Sequence, residues 1–305
     1  MTIDVVIPTF DRRDLLRSCL EHLARQDTPH ATIVVDNGSG DGTPEMVREE
    51  FPAVRLIALA ENLGFGAAVN AAAAGGDGDA IVLLNNDVDV EPGFLDALVA
   101  PLRRDPETGM VAGVLLKPGR AVIDAAGVVI DAGLGGYAYL GGAPAAALED
   151  PPDGLVGPCG GAAAYRRAAF DAVGGFDDEI FAYSEDVDLA LRLLGAGWRC
   201  QLAPDARGVH LGSATLGVRS LPQIRIASFS RGYVLGRYRV HPGWVLAALA
   251  IAIADAAALR SPAPVTSCVR GLSLGLSRSR RSRPAQARAL GWRAAGRLRR
   301  RAAFG

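Results

Sequence analysis

The apolar run Ile81–Leu84 passes through Asn85 and Asn86 into Asp87 and Asp89, two carboxylates separated by one residue. Side chains at i and i+2 of an extended backbone point to the same face, so both carboxylates can converge on one hard cation. A buried strand that delivers them at its carboxyl end puts them where open α/β sheets bind ligands. Mg²⁺ or Mn²⁺ at such a place would hold a diphosphate. The same Asp-x-Asp spacing also describes a solvated turn after a strand.

Three other groups carry potential chemistry. Asp36 ends an apolar run and is followed by Asn37-Gly38-Ser39-Gly40-Asp41-Gly42; a carboxylate there can accept a hydrogen bond from the N3–H of uracil or thymine, and the segment is equally good turn chemistry. Glu61-Asn62-Leu63-Gly64-Phe65-Gly66 sets glycines at a helix start, where free N–H groups favour anions. Ser184-Glu185-Asp186 opens a helix, and a carboxylate fixed at a rigid helix start can serve as general base towards a hydroxyl, or simply complement the helix dipole. His210, beyond Trp198–Pro204 and Asp205, is a candidate third ligand beside two carboxylates, although a lone histidine also suits surface or packing positions.

The elements that must position these groups alternate in type. Strands are expected at Ile3–Ile7, Thr32–Val35, Val54–Ala58 and Ile81–Leu84, and helices at about Arg12–Arg25, Pro44–Phe51 and Gly66–Ala74. This rhythm predicts an α/β fold with a mostly parallel central sheet flanked by helices. Leu15, Leu16, Cys19, Leu20 and Leu23 share one face of the first helix, for which Asp11 is the expected N-cap, and Thr43-Pro44 reads as a cap followed by proline at the first helical position. The Gly/Ala/Pro-rich segment Lys117–Gly157 has weak periodicity and reads as a hairpin or loop region over the site.

With 305 residues, half of them hydrophobic, the chain can bury a substantial core. Its net charge of -1 conceals an asymmetry: residues 1–219 hold 16 basic against 32 acidic side chains, whereas residues 220–305 hold 16 arginines against Asp255 alone. We therefore expect a body at 1–219 and a basic, partly apolar helical tail at 220–305 with a polyanionic partner. Cys19, Cys159, Cys200 and Cys268 show no metal-type spacing, which favours reduced cysteines in a cytoplasmic protein. The opening residues read as a strand and not as a signal peptide.

Trp244–Leu259 is a 16-residue stretch of mostly apolar helix formers. At ~1.5 Å per residue it spans ~24 Å, short of the ~30 Å hydrocarbon core, so an interfacial or re-entrant segment is expected, with a helix packed on the body as the alternative. Arg225, Arg231, Arg237 and Arg239 precede it; Arg278, Arg280, Arg281, Arg283 and a basic run at 293–301 follow. This arrangement suits docking on an anionic membrane surface. Few aromatics interleave with the cations, which argues against nucleic acid as the partner.

The ordered set VVIPTFDR, VVDNGSGDG, ENLGFGAAVN, LLNNDVDV, GGFDDEIFAYSEDVDLALRL and a late histidine resembles the glycosyltransferase family 2 enzymes, in particular the rhamnosyltransferase-like group of bacterial cell-envelope polysaccharide synthesis. The resemblance covers nearly all of residues 1–212. It implies a GT-A fold and inverting, metal-dependent transfer of a sugar, rhamnose being the one it favours. The donor would be a nucleoside-diphosphate sugar and the acceptor polyprenyl-linked or a glycan, met at the inner face of the cell membrane.

By position, the resemblance puts Pro8, Thr9 and Phe10 in the nucleotide pocket, Asp36 on the base, and Asn62, Gly64 and Asn70 around the ribose and diphosphate. Asn86 and Asp87 would approach the ribose and sugar. Asp89 and His210 would hold the metal, with Asp87 contacting it directly or through water. Asp186 would be the general base with Glu185 as its neighbour, and Gly160-Gly161, ahead of Tyr165-Arg166-Arg167, would belong to the acceptor side. Family members usually carry tyrosine and asparagine where this chain has Phe10-Asp11. Two other classes compete: a catalytically silent nucleotide-sugar-binding scaffold, since fold alone does not give activity, and a nucleotidyltransferase, which would be expected to carry a basic glycine-rich loop near its start.

Overall fold

The computed structural model describes residues 1–148, 154–212 and 219–290. The expected alternation appears as β1 (Ile3–Thr9), α1 (Arg13–Leu23), β2 (Ala31–Asp36), α2 (Thr43–Glu50), β3 (Arg55–Ala58), α3 (Phe65–Gly75) and β4 (Ala80–Leu84). The chain continues with β5 (Val88–Val90), α4 (Phe94–Arg104), β6 (Thr108–Leu116), β7 (Ile123–Ala125), β8 (Val128–Asp131), β9 (Gly136–Ala138), β10 (Ala162–Arg166), α5 (Arg167–Ala172), α6 (Glu185–Gly195) and β11 (Arg199–His210).

Among the described residues the main sheet runs β3-β2-β1-β4-β10-β6-β11-β5, with β7 on β6. It is parallel from β3 through β4. Beyond that it is mixed, because β10 runs antiparallel to both β4 and β6 and β5 antiparallel to β11. Every residue of β1, β4 and β6 is buried, as expected of strands covered by helices on both faces. One helical layer is built from Leu16, Cys19, Leu20 and Leu23 of α1, packed with Phe94, Leu95 and Leu98 of α4. The opposite layer is built from α3 and α6.

Two capping expectations change. Asp11 is not the N-cap of α1; it adopts φ 49°, its carboxylate accepts the Gly40 N–H at 2.8 Å, and its own N–H donates to Ser39 Oγ at 2.9 Å. It laces the β1–α1 loop to the β2–α2 loop. At α2 the N-cap position is Gly42 and not Thr43; Asp41 Oδ1, one residue earlier, accepts both the N–H and the hydroxyl of Thr43, which is buried.

The segment after residue 219 forms α7 (Leu221–Arg237), α8 (Pro242–Ala258), α9 (Ala263–Ser277) and β12 (Ala289–Leu290). It shares a core with the body: Tyr233, Val234 and Tyr238 lie in one buried cluster with Val187, Leu189 and Leu191 of α6, and β12 adds in parallel to β8 of the small sheet β12-β8-β9. Helices α7 and α9 touch backbone to backbone through Gly232 and Gly236 on one and Gly271 and Gly275 on the other. A Cβ at Gly236 would lie 2.5 Å from the Leu272 carbonyl oxygen, so only glycine permits this approach.

The tail is also held by charge. Asp188 of α6, fully buried, accepts from Arg192 Nε at 2.8 Å, from Tyr238 Oη at 2.9 Å and from Arg281, and Arg281 also pairs with Asp177 at 2.8 Å. Arg278 pairs with Glu179, and Arg237 donates to the Ser279 carbonyl. Arg237, Arg278 and Arg281, read from sequence as surface cations, are therefore ties within the protein. The basic run at 293–301 lies outside the described residues.

Candidate active site

The parallel register brings Thr9 and Asp36 side by side at the carboxyl ends of β1 and β2. Asp36 is 2 % exposed. Its Oδ2 accepts the Ser39 N–H at 3.1 Å, but Oδ1 accepts no hydrogen bond among the described residues. A buried, unmet carboxylate oxygen is costly, by about 1–3 kcal/mol or more, and a ligand N–H would relieve it. Pro8 is buried in β1 and Phe10 sits half-buried just beyond it.

The next loop is fastened to this corner by Asn37, a residue the sequence reading passed over as turn chemistry. Its Nδ2 donates to the Gly64 carbonyl and its Oδ1 accepts the Leu63 N–H, both at 3.0 Å. Asn62 turns the chain by accepting the Gly64 N–H at 3.0 Å. Gly64 has φ 94°, and a Cβ there would sit 2.5 Å from the Phe181 carbonyl oxygen. Asn70 departs from its expected ribose and diphosphate role: its amide is used by the Phe176 N–H and carbonyl and by Asp178. It pins the loop before α6 to α3.

Asn86 donates to Thr9 Oγ1 at 2.8 Å, joining the end of β4 to the end of β1. Asp87 does not share an extended strand with Asp89, because a turn at Asn86–Asp87 separates β4 from β5. The premise of two carboxylates on one face consequently fails. Asp87, 6 % exposed, turns to β11, with Oδ1 3.2 Å from His210 Nε2. Asp89 turns to α1, accepting from Ser18 Oγ at 2.8 Å with His22 Nδ1 3.4 Å away.

Among the described residues no three His, Cys, Asp or Glu side chains gather as a metal-holding group. The expected trio of Asp87, Asp89 and His210 is not assembled: Asp87 meets His210, and Asp89 is held apart from them by α1. The other histidine nitrogen, Nδ1, donates to Asp124 Oδ2 at 2.7 Å. Asp124 stands on β7, inside the segment whose sequence had no legible period. Burial opposes a charge on His210, but the hydrogen bonds and charges of Asp124 and Asp87 outweigh it and push its pKa up to about 10. An imidazole and a carboxylate oxygen at this spacing, with the ring oriented by a second carboxylate, fit a divalent cation that displaces the Nε2 proton on binding.

Gly160 and Gly161, expected on the acceptor side, close the arc. Gly161 accepts the Asn85 N–H through its carbonyl at 3.2 Å, and a Cβ on Gly161 would strike Leu115 at 2.8 Å. The Gly160 N–H in turn favours the ionised form of Asp186. Tyr165, Arg166 and Arg167 do not line this edge. Tyr165 is core, Arg166 donates to the Thr108, Leu102 and Asp105 carbonyls, and Arg167 pairs with buried Asp4 at 2.6 Å.

The approach to α6 is strained: Tyr183 and Ser184 have φ of 66° and 72°, a left-handed conformation costing about 1–3 kcal/mol per non-glycine residue. It is held by Ser230 Oγ, which donates to the Ala182 carbonyl at 2.7 Å, and by Phe181, whose carbonyl accepts the Phe65 N–H at 2.8 Å. The strained turn delivers Glu185 and Asp186. Burial raises both carboxyl pKa values, and the neighbouring Asp186 charge raises that of Glu185 further. Glu185 Oε2 has no hydrogen-bond partner among the described residues, whereas Asp186 Oδ1 accepts the Val187 N–H at 2.7 Å. Environments that push two carboxyls apart separate a proton holder from a proton acceptor. The contacts Asp36–Thr9–Asn86–Asn85–Gly161–Gly160–Asp186 thereby form one continuous arc along the carboxyl edge of the sheet. A cavity of about 610 Å³ at the other end of the strands, lined by Asp4, His30 and Arg55, contains none of these groups.

Residues 4–174 match the model of glycosyl transferase family 2, and residues 152–224 that of glycosyl transferase family group 2. The chain is 33 % identical over 266 residues to an N-acetylglucosaminyl-diphospho-decaprenol L-rhamnosyltransferase of Mycobacterium tuberculosis, covering 80 % of this chain and 86 % of that one. It is 31 % identical over 239 residues to the O-antigen biosynthesis protein RfbC of Myxococcus xanthus, covering 72 % of this chain and 18 % of that protein. Its fold is similar to that of the mannosyltransferase PcManGT of Pyrobaculum calidifontis, solved with GDP-Man and Mn²⁺, with a TM-score of 0.55, 22 % identity, and coverage of 99 % of this chain and 79 % of that one. The architecture is GT-A, with a curled central sheet flanked by helices.

Proposed function

The chain belongs to glycosyl transferase family 2, and from that premise we propose that this glycosyltransferase is inverting and metal-dependent. It moves a sugar, rhamnose by likeness to its mycobacterial relative, from a nucleoside diphosphate to a polyprenyl-diphosphate-linked or glycan acceptor of the cell envelope. The observation that carries the reading is the continuous arc from Asp36 to Asp186, with Asp36, the carboxylate we assign to the base, at one end and Asp186, the one we assign to the acceptor proton, at the other.

In this reading the free Asp36 Oδ1 accepts the ring N–H of the base, and Asn86, held by Thr9, faces the ribose and sugar. Asp186 takes the proton of the acceptor hydroxyl as its oxygen bonds to the anomeric carbon from the face opposite the leaving group. The bond to the diphosphate breaks and the nucleotide departs with the electron pair. Glu185, deeper and more strongly raised, keeps its proton and leaves Asp186 as the acceptor. A divalent cation held by Asp87 and His210 would supply neutralisation of the charge building on the departing diphosphate.

Association with an anionic inner membrane leaflet is part of the same proposal. Leu246, Ile251 and Ile253 of α8 are exposed apolar side chains, and Arg225, Arg239, Arg260, Arg270 and Arg280 are exposed cations of the same C-terminal layer. No helix among the described residues is long and apolar enough to cross a membrane.

The test is release of nucleoside diphosphate from a panel of UDP-, dTDP- and GDP-sugars, with and without Mn²⁺ or Mg²⁺, in the presence of a membrane lipid extract. Metal-dependent turnover of one donor supports the reading. Tight donor binding without release would replace it with a silent binding protein.

A further inference from the structure

Helix α6 begins without a side-chain cap. Ser184 stands at its N-cap position in the left-handed region, with φ 72°, and makes no cap hydrogen bond through its side chain. A helix start without a cap leaves N–H groups unmet and is prone to fray, yet this first turn carries Glu185 and Asp186. The rest of α6 is fixed: Val187, Leu189 and Leu191 are core residues, and buried Asp188 is held by Arg192 and Tyr238. The Asp188 N–H donates to the Ser184 carbonyl at 3.0 Å, which bounds the strained pair Tyr183 and Ser184 on the helix side. On the other side stands the Ala182 carbonyl, which accepts from Ser230 Oγ of α7 at 2.7 Å.

We propose that Ser230 is a positioning residue for the transfer: by holding the Ala182 carbonyl it keeps Tyr183 and Ser184 in their left-handed turn and so aims Asp186 at the acceptor hydroxyl. The inference rests on the transfer reading above and adds a residue of the C-terminal layer that acts through the turn. Three observations select it. First, Ser230 is fully buried; a helical serine commonly returns its hydroxyl to a carbonyl of its own helix, whereas this one donates to a residue 48 positions away in sequence. Second, its acceptor belongs to the peptide from which φ of Tyr183 turns, so the bond fixes the plane that enters the costly conformation. Third, the loop before that peptide has its own ties. Asn70 holds Phe176 and Asp178, Tyr233 and Arg281 hold Asp177, and the Phe65 N–H holds the Phe181 carbonyl. Loss of the Ser230 hydroxyl therefore frees the turn at residues 182–184 and leaves the loop and the body of α6 in place.

The experiment compares full-length wild type, Ser230→Ala and Tyr233→Phe, first by hydrogen exchange and then by kinetics on the donor that turns over. Tyr233→Phe is the control, since it removes a hydrogen bond from the same helix to the same loop at Asp177, which Arg281 still holds. In Ser230→Ala, peptides covering residues 181–190 should exchange faster than in the wild type and in the control. Its kcat should fall about tenfold to a hundredfold, as for a misplaced catalytic group, with donor KM within about twofold of the wild type. Burial holds the Asp186 carboxyl above its ordinary value; a released turn brings it towards solvent, so the acidic limb of kcat should move to lower pH. The control should keep the wild-type kcat and limb. Wild-type kcat and limb in Ser230→Ala, or equal losses in the two variants, would overturn the proposal and leave the transfer reading standing. A wild type that turns over no donor would refute the transfer reading, and faster exchange in Ser230→Ala would then mark Ser230 as a structural tie only, which also overturns the positioning role.

Discussion

His210 donates Nδ1–H to Asp124 at 2.7 Å while its Nε2 lies 3.2 Å from Asp87 Oδ1. Two carboxylates from distant parts of the chain thus fix one imidazole ring, and with it the nitrogen available to a cation. A carboxylate that orients a ligating histidine typically contributes about 10–100-fold in metal affinity. Asp124→Asn should weaken Mn²⁺ binding by that order, as read by calorimetry, with the fold retained. Unchanged affinity would remove Asp124 from the site.

The unmet oxygen of Asp36 predicts a preference among bases. Uracil and thymine present an N3–H to it, and cytosine presents a bare ring nitrogen. UDP or dTDP should bind more tightly than CDP, and Asp36→Ala should abolish the difference, a loss of about 1.5–3 kcal/mol for a charged hydrogen bond. Equal affinities in the wild type would show that Asp36 reads no ring N–H.

Glu185 predicts a dependence of stability on pH. Burial, then the charge of Asp186, hold its folded pKa above the ordinary carboxylate value, so the folded state binds its proton more tightly than the unfolded state does. The resulting stability is present below the ordinary value and is lost as pH rises through the raised one. Glu185→Gln removes that loss. In urea unfolding the variant should gain on the wild type between about pH 5 and about pH 9, and a constant difference would contradict the shift.

Asp188 joins Arg192, Tyr238 and Arg281 in the interior. Removing one partner of a buried ion pair costs about 3–5 kcal/mol because the other charge stays buried. Asp188→Ala should lower unfolding stability by at least about 3 kcal/mol and release the C-terminal layer to limited proteolysis. A loss below about 1 kcal/mol would mean that this network does not tie the helices to the body.

The strands from β1 to β4 and the helices between them were legible because buried parallel strands read as apolar runs and α1 repeats its apolar residues at helical spacing. Asp36, Asp87, Asp186, Gly161 and His210 also stand at the edge the motifs implied. Asp89 was misplaced because the spacing rule assumes an extended backbone, and the turn at Asn86–Asp87 breaks it. Asp124 was invisible because β7 is a three-residue strand in a Gly/Ala-rich stretch, too short to show a period. Asn70 looked like a ligand contact in a glycine-rich loop, yet its partner loop lies more than a hundred residues away. The α7–α9 contact was concealed for a related reason: glycines spaced by four permit close packing, but only the fold tells which helix supplies the matching pair.

The central claim is tested most directly by comparing Asp186→Asn with the wild type on the donor that turns over, measuring kcat and, separately, donor affinity. General-base catalysis contributes about 10²–10⁴-fold, so kcat should fall by that order while donor affinity stays within about twofold of the wild type. A variant that keeps its kcat, or that loses donor affinity in the same proportion, would contradict the assignment of Asp186 as the proton acceptor.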